Sequence, residues 1–278
     1  MWEALFEHPF LQNAVLAGVL FSIACGIIGS YVVVKRIVFI SGGIAHTSFG
    51  GVGLALWAGF SPLVGALIAT IAAALGIGVI VRKTRLPEDT AIGVLWAMGM
   101  AMGAVFLWEA PGYLRDPTSY LFGSILAVQQ SDLVLMLILD AIIVVMVVAL
   151  YKEFLALSFD EEYGSVVGVP VGLLYVVLLC LIALTVVLLI RVVGIILVIA
   201  FLTIPPTLAR RFTHSLGRMM LLSVVLGLVL SFGGLWLSYE VDWPSGATII
   251  LLSGTVLILS FGQSRLSRFW KERRAAAG

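Results

Sequence analysis

Charged residues are scarce in this chain, and their scarcity indicates the class of protein. They make up 11% of the 278 residues, whereas soluble domains carry about 25%. Hydrophobic residues supply 62% of the chain and the mean hydropathy is +1.17. A soluble fold of this size would have to expose much of that apolar surface to water. The composition therefore predicts a polytopic membrane protein, with residues 1–278 forming a single transmembrane domain.

Several common functional motifs are also missing. The only two cysteines, Cys25 and Cys180, form no CxxC pair, so neither a disulfide framework nor a thiolate metal site is indicated. No GxxxxGK[ST] run is present, so the chain should bind no nucleotide of its own. HExxH and GxSxG are absent too, which disfavours an intramembrane hydrolase. We expect no enzyme activity, no permanently bound cofactor and no nucleic-acid binding.

Long apolar runs fill most of the sequence, and a helix needs about 20 such residues to cross a bilayer. The predicted spans are Phe10–Val34, Val38–Ala58, Pro62–Val81, Ala91–Trp108, Leu133–Tyr151, Val171–Ile190, Gly194–Ala209, Met219–Ser238 and Ala247–Phe261. The seventh run is short and contains Pro205–Pro206. The sequence therefore predicts an all-α transmembrane helical bundle with eight or nine crossings.

Lysine and arginine are distributed unevenly between the predicted loops. With nine crossings, 14 of the 16 fall on one side, and only Arg115 and Arg191 fall on the other. Because cytoplasmic loops are rich in these residues, the amino terminus is predicted outside and the carboxyl terminus inside. Residues 263–278 then form a short basic cytoplasmic tail at the lipid headgroups.

His46 is the most unusual residue in the predicted spans. It follows Lys35–Arg36 by about ten residues, which places it about 15 Å along a helix and near the middle of the bilayer. Asp140 lies at a similar depth, about 12 Å into the fifth run. Ionisable groups there are costly and usually serve a metal or proton pathway. The alternatives are a histidine hydrogen-bonded between helices and a structural carboxyl.

Two segments combine small or helix-breaking residues. Gly42 and Gly43 precede His46, and they either allow close helix packing or mark unwound backbone that lines a cavity. Pro205 and Pro206 indicate a second break in the pathway. We interpret both segments as breaks along a translocation path.

The longest inner loop, residues 152–172, predicts a short helix. Ser158 can cap it, and Asp160 and Glu161 fall in its first turn, where the helix dipole favours carboxylates. Gly168 and Pro170 end it. Such a helix is a candidate for contact with a cytoplasmic partner, with a solvated surface helix as the alternative. On the outer side, Tyr120–Leu126 predicts a half-helix against the bundle.

Five segments in order resemble the membrane subunits of zinc, manganese and iron ABC transporters, the ABC-3 type. They are Lys35–Gly51, Tyr120–Leu126, Ser158–Pro170, Ile204–Ala209 and Pro244–Ile249. The resemblance implies a homodimeric permease in the plasma membrane of a prokaryote. It also implies two cytoplasmic ATPase subunits that bind ATP, an extracytoplasmic metal-binding protein, and a divalent transition metal ion as cargo.

The resemblance assigns roles to individual residues. His46 matches the histidine associated with the metal path. The segment from Asp160 through Glu161 and Gly164 to Gly168 matches the helix that couples the permease to its ATPase.

One position departs from the family pattern. Many members carry an aspartate four residues before the histidine, on the same helix face, and here that position is Gly42. A hard oxygen ligand is therefore missing, and Ser41, Thr47 and Asp140 are the candidates to replace it.

Three other functions stay open on the sequence. An ABC importer of a metal chelate, such as a siderophore or cobalamin, is favoured by Gly42. A cation-driven secondary carrier would use Asp140 and His46 without an ATPase. In a purely structural membrane subunit, substitution of His46 would have no effect on function. The order of the motifs favours the importer of a free ion.

Overall fold

The computed structural model describes residues 9–83, 87–111, 123 and 125–276, and within these ranges all regular structure is helical. In chain order the elements are α1 (Pro9–Lys35), α2 (Val38–Ala58), α3 (Pro62–Lys83), α4 (Glu88–Glu109), a 3-10 turn (Ile125–Ala127), α5 (Gln130–Ala149), α6 (Tyr151–Phe159), α7 (Glu161–Val166), α8 (Val171–Ala209), α9 (Leu216–Val241) and α10 (Ser245–Ala276). The all-α prediction is confirmed.

The element α8 consists of two helices joined at Gly194. There φ is 74° and ψ is 169°, a conformation that glycine adopts without a steric penalty. The first part, α8a (Val171–Ile190), is long and apolar enough to cross a bilayer. The second part, α8b (Leu197–Ala209), falls below the roughly 20 residues that a full crossing needs.

The two parts of α8 run in opposite directions. Tyr175, near the start of α8a, lies under the Lys35 ammonium, which is 5.8 Å from the ring centroid. Arg210, directly after α8b, donates a hydrogen bond of 3.4 Å to the Val33 carbonyl. Both ends of α8 therefore lie beside the carboxyl end of α1, which we call the Lys35 end of the bundle.

The predicted boundary between the sixth and seventh spans, at Gly194, is confirmed, whereas the additional break predicted at Pro205–Pro206 was wrong. Both prolines lie inside α8b, and within α8 the non-helical backbone is at Gly194. Because Pro206 has no N–H, the Leu202 carbonyl loses its helical donor. That carbonyl lies against α1, where a Cβ on Gly29 would be 2.5 Å from the Leu202 oxygen.

Counting both parts of α8, nine helical passes alternate in direction within the described ranges. Eight of the described helical stretches are long and apolar enough to cross a bilayer, and α8b is the shorter ninth. Ser260 in α10 accepts a hydrogen bond from Arg211 at the Lys35 end. Asn13, near the start of α1, donates to the Val128 carbonyl at the other end. The first and last described helices thus begin and finish at opposite ends of the bundle, as an odd number of passes requires.

Glycines bring α2 and α4 together as parallel neighbours. A Cβ on Gly50 would lie 2.8 Å from the Gly99 carbonyl oxygen, and one on Gly53 would lie 2.7 Å from that of Gly103. Small residues at such positions let two backbones approach closely. The alignment of α4 alongside His46 is therefore set by glycine contacts.

The predicted unwinding at Gly42 and Gly43 was wrong, because α2 is helical without interruption from Val38 to Ala58. Gly43 is instead a packing position, where a Cβ would lie 2.6 Å from Ile92 Cγ2. The close-packing interpretation of these glycines fits the structure.

Candidate functional site

His46 lies in the middle of α2, half-buried, with its imidazole stacked on the indole of Trp96 from α4. The two ring centroids are 4.0 Å apart and the planes differ by 12°. The Nδ1 atom is buried and has no hydrogen-bond partner among the described residues. Nε2 is therefore the nitrogen that is still open to a ligand, and one face of the ring is covered.

The position one helical turn before His46 has little free space. A Cβ on Gly42 would lie 3.4 Å from Trp96 Cζ3 and 3.3 Å from Ile199 Cδ1. Trp96 therefore contacts both the imidazole and the space where a side chain at position 42 would extend. A Cβ at this position would be in ordinary contact with the indole and would require Ile199 Cδ1 to move by a few tenths of an ångström.

The two hydroxyls beside the histidine donate to backbone carbonyls. Ser41 is fully buried and donates to the Val38 carbonyl at 2.7 Å. Thr47 donates to the Gly43 carbonyl at 2.7 Å, and its Oγ1 is also 3.2 Å from the Leu95 oxygen. Both hydroxyl protons are therefore donated to backbone carbonyls of α2 or α4. The lone pairs of the two hydroxyl oxygens are left for an ion.

Asp140 is the other ionisable group in the middle of the bundle. It is 4% exposed in the centre of α5, and neither carboxylate oxygen has a hydrogen-bond partner among the described residues. The structure gives no hydrogen bond between Asp140 and His46 within the described part of the chain.

The described residues of one copy of the chain do not form a complete metal shell. Among the residues that the structure describes, no group of three or more histidine, cysteine, aspartate and glutamate side chains is close enough to hold an ion. Each chain therefore offers one well-placed nitrogen at His46. Such a site suits an ion that passes through better than one that is permanently held.

A cavity of about 310 Å³ lies between α2, α3 and α4 and is lined by Thr47, the residue after His46. Its lining is apolar apart from the Thr47 hydroxyl and backbone atoms, with Leu54, Phe60, Met102 and Phe106 among the larger side chains. This cavity offers an ion no charged ligand.

The inner loop forms two short helices, α6 and α7, at the Lys35 end. Asp160 caps α7, since its carboxylate accepts a hydrogen bond of 2.8 Å from the Tyr163 amide. The predicted cap, Ser158, was wrong: its hydroxyl donates to the Phe154 carbonyl inside α6. The aspartate lies directly before the helix, where its carboxylate can reach the free amides of the first turn.

Two glycines shape the same loop. Gly168 ends α7 with φ 84°, as predicted, and its amide donates to the Ser165 carbonyl. Gly164 is buried, and a Cβ there would lie 3.3 Å from Val171 Cγ2. The loop is thus packed firmly against the start of α8a.

The other face of this loop is exposed and partly apolar. Tyr163 is 62% exposed, Val166 83% and Val167 53%. Apolar side chains presented beside the carboxylates of Asp160 and Glu161 are typical of a surface that contacts another protein.

A chain of polar contacts joins this loop to the start of α4. The Lys35 ammonium donates to the Leu157 carbonyl at 2.8 Å and forms an ion pair with Glu161. It also lies over the ring of Tyr175, whose hydroxyl donates to Glu88 Oε1 at 2.7 Å. Since Glu88 is in the first turn of α4, the contacts connect the loop to the helix that carries Trp96.

The predicted half-helix at Tyr120–Leu126 falls largely outside the described residues. Its described part includes Ile125, which is buried and begins the 3-10 turn. The basic tail 263–278 continues α10 as far as Ala276.

Comparison with known proteins places the chain in a family. The model of the ABC 3 transport family matches residues 7–264. The chain belongs to this family.

Individual relatives agree with that assignment. A probable metal transport system membrane protein of Chlamydia pneumoniae is 42% identical, over 90% of this chain and 87% of its own length. The manganese transport system membrane protein MntC of Halalkalibacterium halodurans is 32% identical, over 99% and 95%. A solved chain described as PsaBC from Streptococcus pneumoniae in complex with Fab superimposes with a TM-score of 0.83, at 29% identity and covering 93% of each chain.

Sequence reasoning missed two features of this ABC 3 family member. Trp96 gave no signal of its own, although the glycines at 50, 53, 99 and 103 indicate helices that could pack closely. The contacts of Lys35 with Glu161, and of Tyr175 with Glu88, depend on the fold because the paired residues are far apart in sequence. A composition pattern cannot identify such pairs.

Proposed function

We propose that this chain is the membrane-spanning subunit of an ATP-binding cassette importer for divalent transition metal ions. Two copies form the translocation path between them. The family assignment and the names of the relatives, which include metal and manganese transport, support this proposal. The chain itself catalyses no covalent reaction, and ATP hydrolysis belongs to separate subunits.

One observation carries the metal assignment. The His46 imidazole lies at mid-depth in an apolar helix, with Nδ1 unpartnered and Nε2 open. An ionisable side chain there is expensive to bury, and imidazole nitrogen is a ligand of zinc, iron and other divalent cations. A second copy related by two-fold symmetry would contribute a second imidazole. Two nitrogens bind an ion transiently and allow it to leave.

The Lys35 end faces the cytoplasm of a prokaryotic cell in this proposal. It carries basic residues that the positive-inside rule assigns to that side: Lys35, Arg36, Lys152, Arg210, Arg211 and Arg218. The amino terminus then faces outward, where an extracytoplasmic metal-binding protein delivers the ion.

The loop of α6 and α7 docks on one of two cytoplasmic ATPase subunits. Its exposed face offers Tyr163 and Val166 beside the carboxylates of Asp160 and Glu161. Movement of this loop reaches α4 through the contacts of Lys35 and Tyr175, and so reaches the helix beside His46. ATP binding would in this way alternate the access of the path.

The proposal is tested by reconstituting the chain with its ATPase subunit in proteoliposomes and measuring uptake of zinc, manganese and iron. Wild type should take up at least one free ion only when ATP is present. His46→Ala should reduce that uptake by about tenfold or more. Loss of a group that merely hydrogen-bonds to a metal ligand already lowers metal affinity by about 10–100-fold.

His214→Ala is the matched control, since His214 is an exposed histidine after α8b, away from the middle of the bundle. It should transport like wild type. Uptake that needs no ATP would instead establish the cation-driven carrier, and uptake of a chelate alone would establish the chelate importer. Equal uptake by wild type and His46→Ala would remove the ligand role.

A further inference from the structure

The cavity beside Thr47 is a groove on the surface of α2, between α3 and α4. Gly50 of α2 lies against the backbone of Gly99 in α4. The next residue, Gly51, lies against the backbone of Gly65 in α3. Successive residues of a helix point about 100° apart. The two neighbours therefore pack on different sides of α2, and a strip of its surface lies between them as the floor of the groove.

The lining of the groove is apolar. Thr47 supplies the one side-chain polar group among the described lining residues, and its hydroxyl proton is donated to the Gly43 carbonyl. The rest of the lining is hydrocarbon and backbone, so it suits an apolar ligand. The larger apolar side chains are Leu54, Phe60, Ile68, Leu95, Met102 and Phe106.

The groove opens sideways from the bundle. Ile68 is 60% exposed, Met102 44% and Leu54 38%, whereas the glycines of its floor are buried. The three helices that form it are each long and apolar enough to cross a bilayer. The mouth of the groove therefore faces the hydrocarbon of the membrane rather than water.

The length of the groove matches one leaflet of a bilayer. Its lining residues in α4 extend from Leu95 to Phe106, which is about 16 Å along the helix. One leaflet supplies half of a hydrocarbon core about 30 Å thick. Along α2 the lining extends from Thr47, near the middle, to Phe60, just past the last helical residue and opposite the Lys35 end. In the proposed orientation this is the outer leaflet.

The volume of the groove distinguishes between apolar occupants. An apolar cavity of about 150 Å³ takes up a benzene-sized ligand, and this groove has about 310 Å³. A helix is about 10 Å across with its side chains, so a stretch of equal length would need on the order of 1,000 Å³. A hydrocarbon chain therefore fits the groove, whereas a transmembrane helix of a second copy is too wide.

We infer that the groove binds one acyl chain of a phospholipid of the outer leaflet, which packs between α3 and α4 on the glycines of α2. The chain supplies dispersion contacts to lining atoms that have no protein neighbour on that side. Because Thr47 lines the groove, the bound chain also supports the part of α2 that carries His46. The binding is independent of metal transport, and only the choice of leaflet rests on the proposed orientation.

Native mass spectrometry of the assembled transporter tests the site by counting retained lipid. The protein is given phosphatidylglycerol and then washed in detergent, which removes lipid from the rest of its surface. Wild type should retain phospholipid. Ala72→Phe places a ring in the groove at an exposed alanine of its lining, and it should lose the retained lipid.

Val79→Phe is the matched control. It adds a ring to the same helix at a site that is 51% exposed and outside the groove, and it should retain lipid like wild type. Equal retention by the three proteins, or no retention by wild type, would overturn the inference. Metal uptake is measured separately, so a failure of the importer proposal would leave this result unchanged.

A photoreactive lipid locates the chain in wild type, even if Ala72→Phe does not assemble. Met102 and Leu75 are each 44% exposed, and of the two only Met102 lines the groove. Phosphatidylglycerol with a diazirine near the end of one acyl chain should label Met102 more strongly than Leu75. Equal labelling would indicate ordinary lipid contact and no site. Cross-links from Met102 to a second copy, without lipid label, would show that the partner covers the groove, and this would also overturn the inference.

Discussion

The ammonium and carboxylate groups at the Lys35 end and the imidazole and carboxylate groups in the middle of the bundle differ in whether they have hydrogen-bond partners. At the Lys35 end, the Lys35 ammonium has the Leu157 carbonyl and Glu161, and Tyr175 donates to Glu88. In the middle, His46 Nδ1 and both oxygens of Asp140 are buried without a hydrogen-bond partner among the described residues. The free-energy cost of burying an unpaired polar atom is greatest where water is absent. That cost alone would predict partners in the middle of the bundle rather than at its end.

This difference indicates two roles. The paired groups at the Lys35 end stabilise the fold, whereas the unpartnered groups in the middle are available to bind an ion. A paired ammonium ties α1 to the loop of α6 and α7, so its removal should cost stability. An unpartnered imidazole contributes little to stability and can accept an ion. The following predictions test this contrast, from the largest expected effect to the smallest.

Substitution of Gly99, which contacts Thr47 beside His46, should cause the largest loss of stability. A Cβ on Gly99 would lie 2.5 Å from Thr47 Cα, so Gly99→Ala must push α4 away from α2. Overpacking typically costs about 1–3 kcal/mol and occasionally more, and we expect a loss above that range because Thr47 Cα is a backbone atom that can move only with its helix. We expect a lower midpoint in thermal unfolding of the purified protein, together with weaker metal uptake.

Gly93 in the same helix is the control. A Cβ there has nothing within 4 Å, and alanine gains up to about 1 kcal/mol in helix propensity over glycine. Gly93→Ala should therefore unfold at the same temperature as wild type or above it. If both variants lose stability equally, the glycine contact is not what aligns α4 with His46.

Lys35→Met should cause the second-largest loss of stability. It removes the hydrogen bond from a charged donor to the Leu157 carbonyl, worth about 1.5–3 kcal/mol in general. The Glu161 partner is half-exposed, so that ion pair adds only about 0–1 kcal/mol. Unfolding of the purified variant should show the loss, and metal-stimulated ATP hydrolysis by the assembled transporter should fall further than basal hydrolysis.

Lys152→Met removes an exposed lysine at the same end of the bundle and provides the comparison for charge. It should leave both measurements unchanged. The account of this end would be wrong if Lys35→Met were as stable and as well coupled as Lys152→Met.

Tyr175→Phe should have a smaller effect, because it removes only the hydroxyl that donates to Glu88 and keeps the ring beneath Lys35. A typical hydrogen bond contributes about 0.5–1.5 kcal/mol. Chemical denaturation should detect a loss within that range. A variant indistinguishable from wild type in stability and in coupling would remove this step from the connection between the loop and α4.

Asp140→Asn should have the smallest effect. The carboxylate has no hydrogen bond to lose among the described residues, so the change in stability should stay below about 1 kcal/mol. ATP-dependent uptake should persist. Loss of uptake as complete as that of His46→Ala would instead favour a carrier in which both groups move the cation.

Sequence reasoning identified the spans well, because an apolar run long enough to cross a bilayer is visible without knowledge of the neighbours. It also placed the reversal of α8 correctly, between the predicted spans Val171–Ile190 and Gly194–Ala209. It was wrong to expect a further break at Pro205–Pro206, because composition does not show that both prolines are accommodated inside a helix. It also assigned unwinding to Gly42 and Gly43. Whether a glycine breaks a helix or allows close packing depends on what lies opposite, and here Ile92 and Trp96 lie there.

The candidate site was only half predictable for the same reason. His46 is conspicuous in sequence because its depth makes it costly. Trp96 is one of seven tryptophans, and nothing distinguishes it until α2 and α4 are aligned. The missing acid at position 42 was visible as Gly42, but the side chains that fill its space were not.

X-ray absorption at the zinc edge, on the assembled transporter loaded with zinc in the absence of ATP, tests the ligand role of His46 most directly. Wild type and His214→Ala should show imidazole scattering with zinc–nitrogen distances of about 2.0–2.1 Å. His46→Ala should lose that imidazole signal or fail to retain zinc. An imidazole signal of equal strength in all three proteins would contradict the claim that His46 meets the transported ion.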